Sequence, residues 1–142
     1  MNRDEILAYM RSHKLAVIGT VGPDRPQGAL IGVAITDEFE IVFDTVSNSR
    51  KHSNLEQDAR ASITFSGPGE QTLQFEGIAR PVSRDDPEDA HWRKVYYAAW
   101  PDGIARRNWP KIRYWRISPR WLRYSDFARG PAIEEIDFEK GH

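Results

Sequence analysis

A chain of 142 residues, 39% hydrophobic and 11% aromatic, is long enough to bury one core as a single domain without covalent cross-links. It contains no cysteine, which excludes disulfides, thiolate metal sites and cysteine nucleophiles and suits a reducing compartment, and its net charge of −1 supplies no global attraction to nucleic acid or membrane. Met1 to Thr20 lacks the basic start, long apolar centre and small-residue cleavage site of a signal peptide, and no apolar run reaches bilayer length, so a soluble cytoplasmic protein is expected.

DEILAYMRSH predicts a short amphipathic helix, with Ile6, Tyr9 and Met10 at helical spacing and Asp4 placed to complement the helix dipole. LAVIGTVGPDRPQGALIGVAI predicts two strands joined by a turn over Gly22 to Pro26. In the second of them, Ala29, Ile31, Val33 and Ile35 share one face, and Gly28, Leu30, Gly32 and Ala34 the other. FEIVFDT predicts a third strand ending at Asp44 and Thr45, followed by a short helix through Leu55. ARASITFS alternates as a half-buried strand, SGPGEQ is a turn, and TLQFEGIARPV supplies a fifth strand.

SRDDPEDAHWRKVYYAAW predicts a helix starting within Ser83 to Pro87, with Trp92, Val95, Tyr96 and Ala99 on one face and Pro101 as its stop. The acids Asp85 to Asp89 are accounted for by the helix start alone. RYWRISPRWLRYSDF predicts one or two closing strands interrupted at Pro119, and AIEEIDFEKGH an acidic tail held loosely, dividing the chain into a domain over 1–130 and a tail over 131–142. Strands and helices do not alternate repeatedly, so the expected fold is mostly β (α+β), an antiparallel barrel with helices at its rim.

The junction FDTVSNSRKHSNL carries the most chemical information. A strand ending where a helix begins leaves backbone N–H groups free; Ser49 or Asn48 can cap the helix, Arg50 can grip a phosphate in bidentate fashion, and Lys51 adds a point charge. The same pattern also fits a solvated helix start with two surface cations.

The longer stretch FDTVSNSRKHSNLEQDARASITF resembles the flavin-binding segment of the pyridoxamine 5′-phosphate oxidase-like family, the FMN-binding split β-barrels, with EGIARPVS and RISP in matching order. The resemblance implies a split β-barrel with FMN as cofactor, Asp44 and Thr45 at the strand end lining the flavin, and Ser49, Arg50 and Lys51 at its phosphate. It also implies an oxidoreductase that passes electrons through FMN to a small substrate or to oxygen, with a nicotinamide nucleotide as a fitting donor. No protein acid, base or metal is assigned a catalytic part. Ala29 and Ala34 stand where the oxidase proper carries cations, and only Trp121 and Arg123 echo its C-terminal substrate motif. The fit is closer to the family's small members, which include flavin reductases, haem-binding or haem-degrading proteins and enzymes of the deazaflavin coenzyme. A flavin-binding module without turnover is the remaining alternative.

RRNWPKIRYWRISPRWLR interleaves cations with Trp109, Tyr114, Trp115 and Trp121 and holds no acid. It is read as a cofactor wall or subunit interface ahead of a single-stranded nucleic-acid site, against a closing strand pair whose Arg stems cover aromatic core residues. His13, His52, His91 and His142 lack metal spacing and are expected at the surface. The apolar run from Leu15 to Ile18, with the tryptophans, predicts a symmetric homodimer with the flavin at the subunit boundary.

Overall fold

Asn2 opens the first helix, α1 (Arg3–Arg11), by accepting the Glu5 N–H at 2.9 Å, and Ile6, Tyr9 and Met10 face inward as their spacing predicts. The computed structural model describes residues 1–128, 130 and 132–140, so His142 and Pro131 of the expected tail lie outside the described residues. The hairpin of β1 (Leu15–Val21) and β2 (Pro26–Gly32) runs in register from Leu15–Gly32 to Val21–Pro26, its turn closed by Gly22 N–H on Arg25 O. The expected second strand breaks at Val33, leaving β3 (Ala34–Ile35) as a separate short strand. Val33 keeps one in-register bond, its N–H donating to Lys14 O, but its C=O is diverted to the Trp100 indole N–H, each at 3.0 Å. Next come β4 (Ile41–Val46), α2 (Arg50–Gln57), β5 (Arg60–Ser66) and β6 (Gln71–Val82).

A 3₁₀ turn over Pro87–Asp89 precedes α3 (Ala90–Ala99) and the short α4 (Gly103–Arg106), which the sequence reading did not anticipate. The acids before α3 satisfy backbone donors, Asp86 accepting from Glu88 N–H and Asp89 from Ser83 N–H. β7 (Ile112–Asp126) is one long strand that passes through Pro119 instead of ending there. It opposes Trp121 to Glu76 and Pro119 to Gly77, so Arg120 is an extra residue in a bulge, where a residue without an N–H costs the ladder nothing. The expected loose tail is corrected from residue 132 onward. β8 (Ala132–Asp137) pairs antiparallel with β7, because Ile136 buries beside Leu122 and Glu135 meets Arg123 across the strands.

The strand order is β2-β1-β5-β6-β7-β4-β3, with β8 on β7, and every pairing is antiparallel: the split barrel expected from the sequence. Strict alternation on β5 sends Ala61, Ile63 and Phe65 inward and Arg60, Ser62 and Thr64 outward. Ile63, Phe65, Leu73 and Phe75 fill the interior, each stabilising by roughly 1.5–3 kcal/mol through area removed from water. A second apolar cluster, Val42, Val82, Tyr96, Ile112 and Tyr114, seats α3 on the outer face of β4 and β7. No helix among the described residues is long and apolar enough to cross a membrane.

Candidate functional site

The site grows from the end of β4. Phe43 points into the core and is fully buried, so period-two alternation turns Asp44 to the opposite face and returns Thr45 inward. Ser49, not Asn48, is the cap of α2: its Oγ accepts His52 N–H at 3.3 Å and lies 2.9 Å from Thr45 Oγ1, joining the strand end to the helix start. Ser47 N–H donates to Lys111 O at 2.8 Å and ties the intervening turn to the chain leading into β7. The underside of α2 is held by buried Leu55 and by Asn54, whose amide donates to Thr20 Oγ1 at 3.0 Å.

With its underside anchored, α2 presents Arg50 and Lys51 at its first turn. Arg50 is exposed and meets no hydrogen-bond or ion-pair partner among the described residues. Lys51 is half-buried; burial lowers the proton affinity of its ammonium and neighbouring Asp44 opposes that shift. The backbone N–H groups of Arg50 and Lys51 likewise take no protein acceptor among the described residues. The donor set is therefore a capped helix start, a free guanidinium and an ammonium, which fits the phosphate of a mononucleotide.

Asp44 is already engaged. Its Oδ2 accepts from Arg106 Nε at 3.1 Å, and Arg106 also donates to Asp102 at 3.0 Å and to the Tyr96 hydroxyl at 3.1 Å. Burial, then the charge of Asp44, raises the Tyr96 phenol, and burial with the Tyr97 hydroxyl at 2.7 Å raises that of Tyr114. Thr45, Ser49, Arg50 and Lys51 thus gather around one helix start, while Asp44 faces a carboxylate–guanidinium–tyrosine network beneath α3 and α4. Arg106 and Tyr96 escaped the sequence reading, since Arg106 stands 62 residues from Asp44.

His52 corrects the expectation of surface histidines. It is buried, and its Nδ1 accepts the Trp115 indole N–H at 3.0 Å, so the ring proton resides on Nε2. Burial lowers its proton affinity, Glu56 opposes and Arg113 reinforces the effect. The unfolded chain, with a histidine near 6.5, therefore binds more protons than the folded one as pH falls below about 6.5. His52 contributes stability that is fully present above that value and is lost as pH drops through the window down to its lowered folded value. Thermal melts across this range should show the midpoint falling with pH, and His52→Gln should flatten the slope; an unchanged slope refutes the assignment.

The cations of the Arg/Trp segment mostly find acids from elsewhere in the chain: Arg106 with Asp44, Arg116 with Glu40, Arg120 with Glu139 and Arg123 with Glu135. Arg116 also stacks 4.1 Å over the Trp92 ring, and Trp115 is buried while Trp109 is half exposed.

The fold has solved counterparts. The chain superposes on a haem-binding protein from Mycobacterium smegmatis with a TM-score of 0.77 at 16% identity, over 94% of this chain and 55% of that one, so it spans about half the length of that neighbour. It matches a conserved hypothetical protein from Mycobacterium tuberculosis at 26% identity and a TM-score of 0.71, over 87% and 84% of the two chains. A pyridoxamine 5′-phosphate oxidase-related, FMN-binding protein from Nostoc punctiforme PCC 73102 aligns at 16% identity and a TM-score of 0.66, over 95% and 96%. No curated protein matches the chain. The family model described as pyridoxamine 5′-phosphate oxidase matches residues 3–126, from the start of α1 to the end of β7, and the chain therefore belongs to that family.

Proposed function

We propose that this chain binds FMN with the phosphate at the start of α2 and acts as an FMN-dependent oxidoreductase on a small molecule or oxygen. The observation that carries the reading is the convergence of the Ser49 cap with Arg50 and Lys51, two cations that form no ion pair among the described residues. When bound, the flavin supplies hydride and electron transfer. The chain's own residues anchor the phosphate, orient the ring along the end of β4 at Asp44 and Thr45, and exclude water. A reduced nicotinamide nucleotide is the donor class to try first, and the cysteine-free composition supports a cytoplasmic setting. The decisive test compares ligands differing only in the phosphate. FMN should bind at least about tenfold more tightly than riboflavin, the worth of one charge-assisted contact. Equal affinities would remove the phosphate assignment.

Haem is the second reading, favoured by the haem-binding Mycobacterium smegmatis neighbour. The absorption spectrum of the purified protein separates a flavin from a Soret band, and mass analysis of the released molecule separates FMN from the deazaflavin coenzyme.

Exposed apolar side chains support a homodimer. Leu15, Val17 and Leu30 are 49%, 45% and 62% exposed on the outer face of the β1–β2 hairpin, where Val17 and Leu30 are paired neighbours. Light scattering at micromolar concentration should give twice the chain mass, and Leu30→Glu should halve it; a stable monomer that keeps its flavin would overturn this assembly.

A further inference from the structure

Arg84 and Arg113, unlike Arg106, Arg116, Arg120 and Arg123, meet backbone carbonyls instead of acids among the described residues. Arg84 Nη1 donates to Trp109 O at 2.8 Å and reaches Pro110 O at 3.4 Å; Arg113 Nη1 donates to Ile112 O at 2.7 Å and to Pro110 O at 3.1 Å. Two guanidinium groups thus converge on one neutral carbonyl. Those bonds fix the groups in place without neutralising them, and neither has an ion-pair partner among the described residues, in contrast to Arg106, Arg116, Arg120 and Arg123. Like charges held this close repel unless an anion lies between them.

They border a cavity of about 430 Å³ bounded by α2, the end of β6 and the start of β7, with Pro81, Val82 and Ile112 as apolar wall. Ser83, Tyr114 and His52 add polar groups, the His52 Nε2 lying 3.5 Å from Glu56 Oε1. Glu56 and Asp85 complete the rim as acceptors. Two fixed guanidiniums suit a doubly charged, planar-faced head group, and rim carboxylates suit hydroxyl or amine donors on the rest of the molecule. We propose that this cleft is a second anion site, distinct from the Arg50 and Lys51 pair, that takes the phosphate monoester of a small hydroxylated molecule.

The experiment keeps the two sites apart by working in the Arg50→Ala, Lys51→Ala background, so that it is independent of the FMN reading. Calorimetric titration of that protein with glycerol phosphate should give saturable one-to-one binding. Adding either Arg84→Gln or Arg113→Gln should weaken it by about tenfold or more, one charge-assisted contact, with the circular dichroism spectrum unchanged. No saturable binding in the double-alanine background, or binding indifferent to both glutamine variants, overturns the proposal.

Discussion

Arg50→Ala combined with Lys51→Ala should weaken FMN binding by about a hundredfold or more while leaving riboflavin binding nearly unchanged, because each removed charge-assisted contact is worth roughly 1.5–3 kcal/mol. Both side chains project from a helix start whose other face is locked by Leu55, Asn54 and His52, so neither truncation removes core packing. Arg50 is exposed and unpaired among the described residues, and its loss should act on the ligand alone. Lys51 sits nearer Asp44, but that carboxylate keeps its contact with Arg106 when the ammonium is gone. Neighbouring contacts to one phosphate share strain and solvent, so the double variant can depart from the product of the singles. Flavin fluorescence titrations of FMN and riboflavin on the same preparations provide the measurement. Parallel losses for both ligands would mean that the two cations support the fold or the ring, not the phosphate.

Gly77→Ala should lower stability by about 2–3 kcal/mol, the scale of overpacking a close-packed site. A Cβ at residue 77 would stand 2.3 Å from Ser118 O, 2.9 Å from Ile117 Cγ2 and 3.0 Å from Phe75 Cε1. The nearest of these is backbone of the paired strand, which cannot rotate away, and the position lies at the bulge that carries Pro119 through the ladder. Gly28→Ala is the control: on the edge strand β2 its Cβ would meet only Val17 Cγ1, at 3.9 Å. Denaturant melts should therefore separate the two glycines clearly, and equal midpoints would show that the β6–β7 bulge yields at little cost.

Legibility differed from element to element for physical reasons. β5 could be read from RASITFS because one face is core and the other water, and period-two alternation records that directly. The cap at Ser49 and the cations at 50 and 51 were equally plain, since a helix start is a matter of adjacent residues. The break at Val33 was hidden: the residues there are good strand formers, and what removes Val33 from the ladder is the Trp100 indole, 67 positions away. The terminal strand was hidden for the opposite reason. AIEEID is too acidic to look like a strand until Arg123 and Leu122 of β7 are beside it.

By itself, then, the sequence determined the class of fold, the start of α2 and the two cations it presents there, all properties of short-range pattern. Only the tertiary structure decided which charges remain available. Asp44 is committed to Arg106, which also holds the Tyr96 hydroxyl, most cations of the 106–123 segment are matched by distant acids, and Arg84 and Arg113 are left facing each other over Pro110. The reason is that an ion pair or a buried hydrogen bond depends on distances of a few ångströms between residues that sheet closure brings together, and local spacing carries no record of those partners.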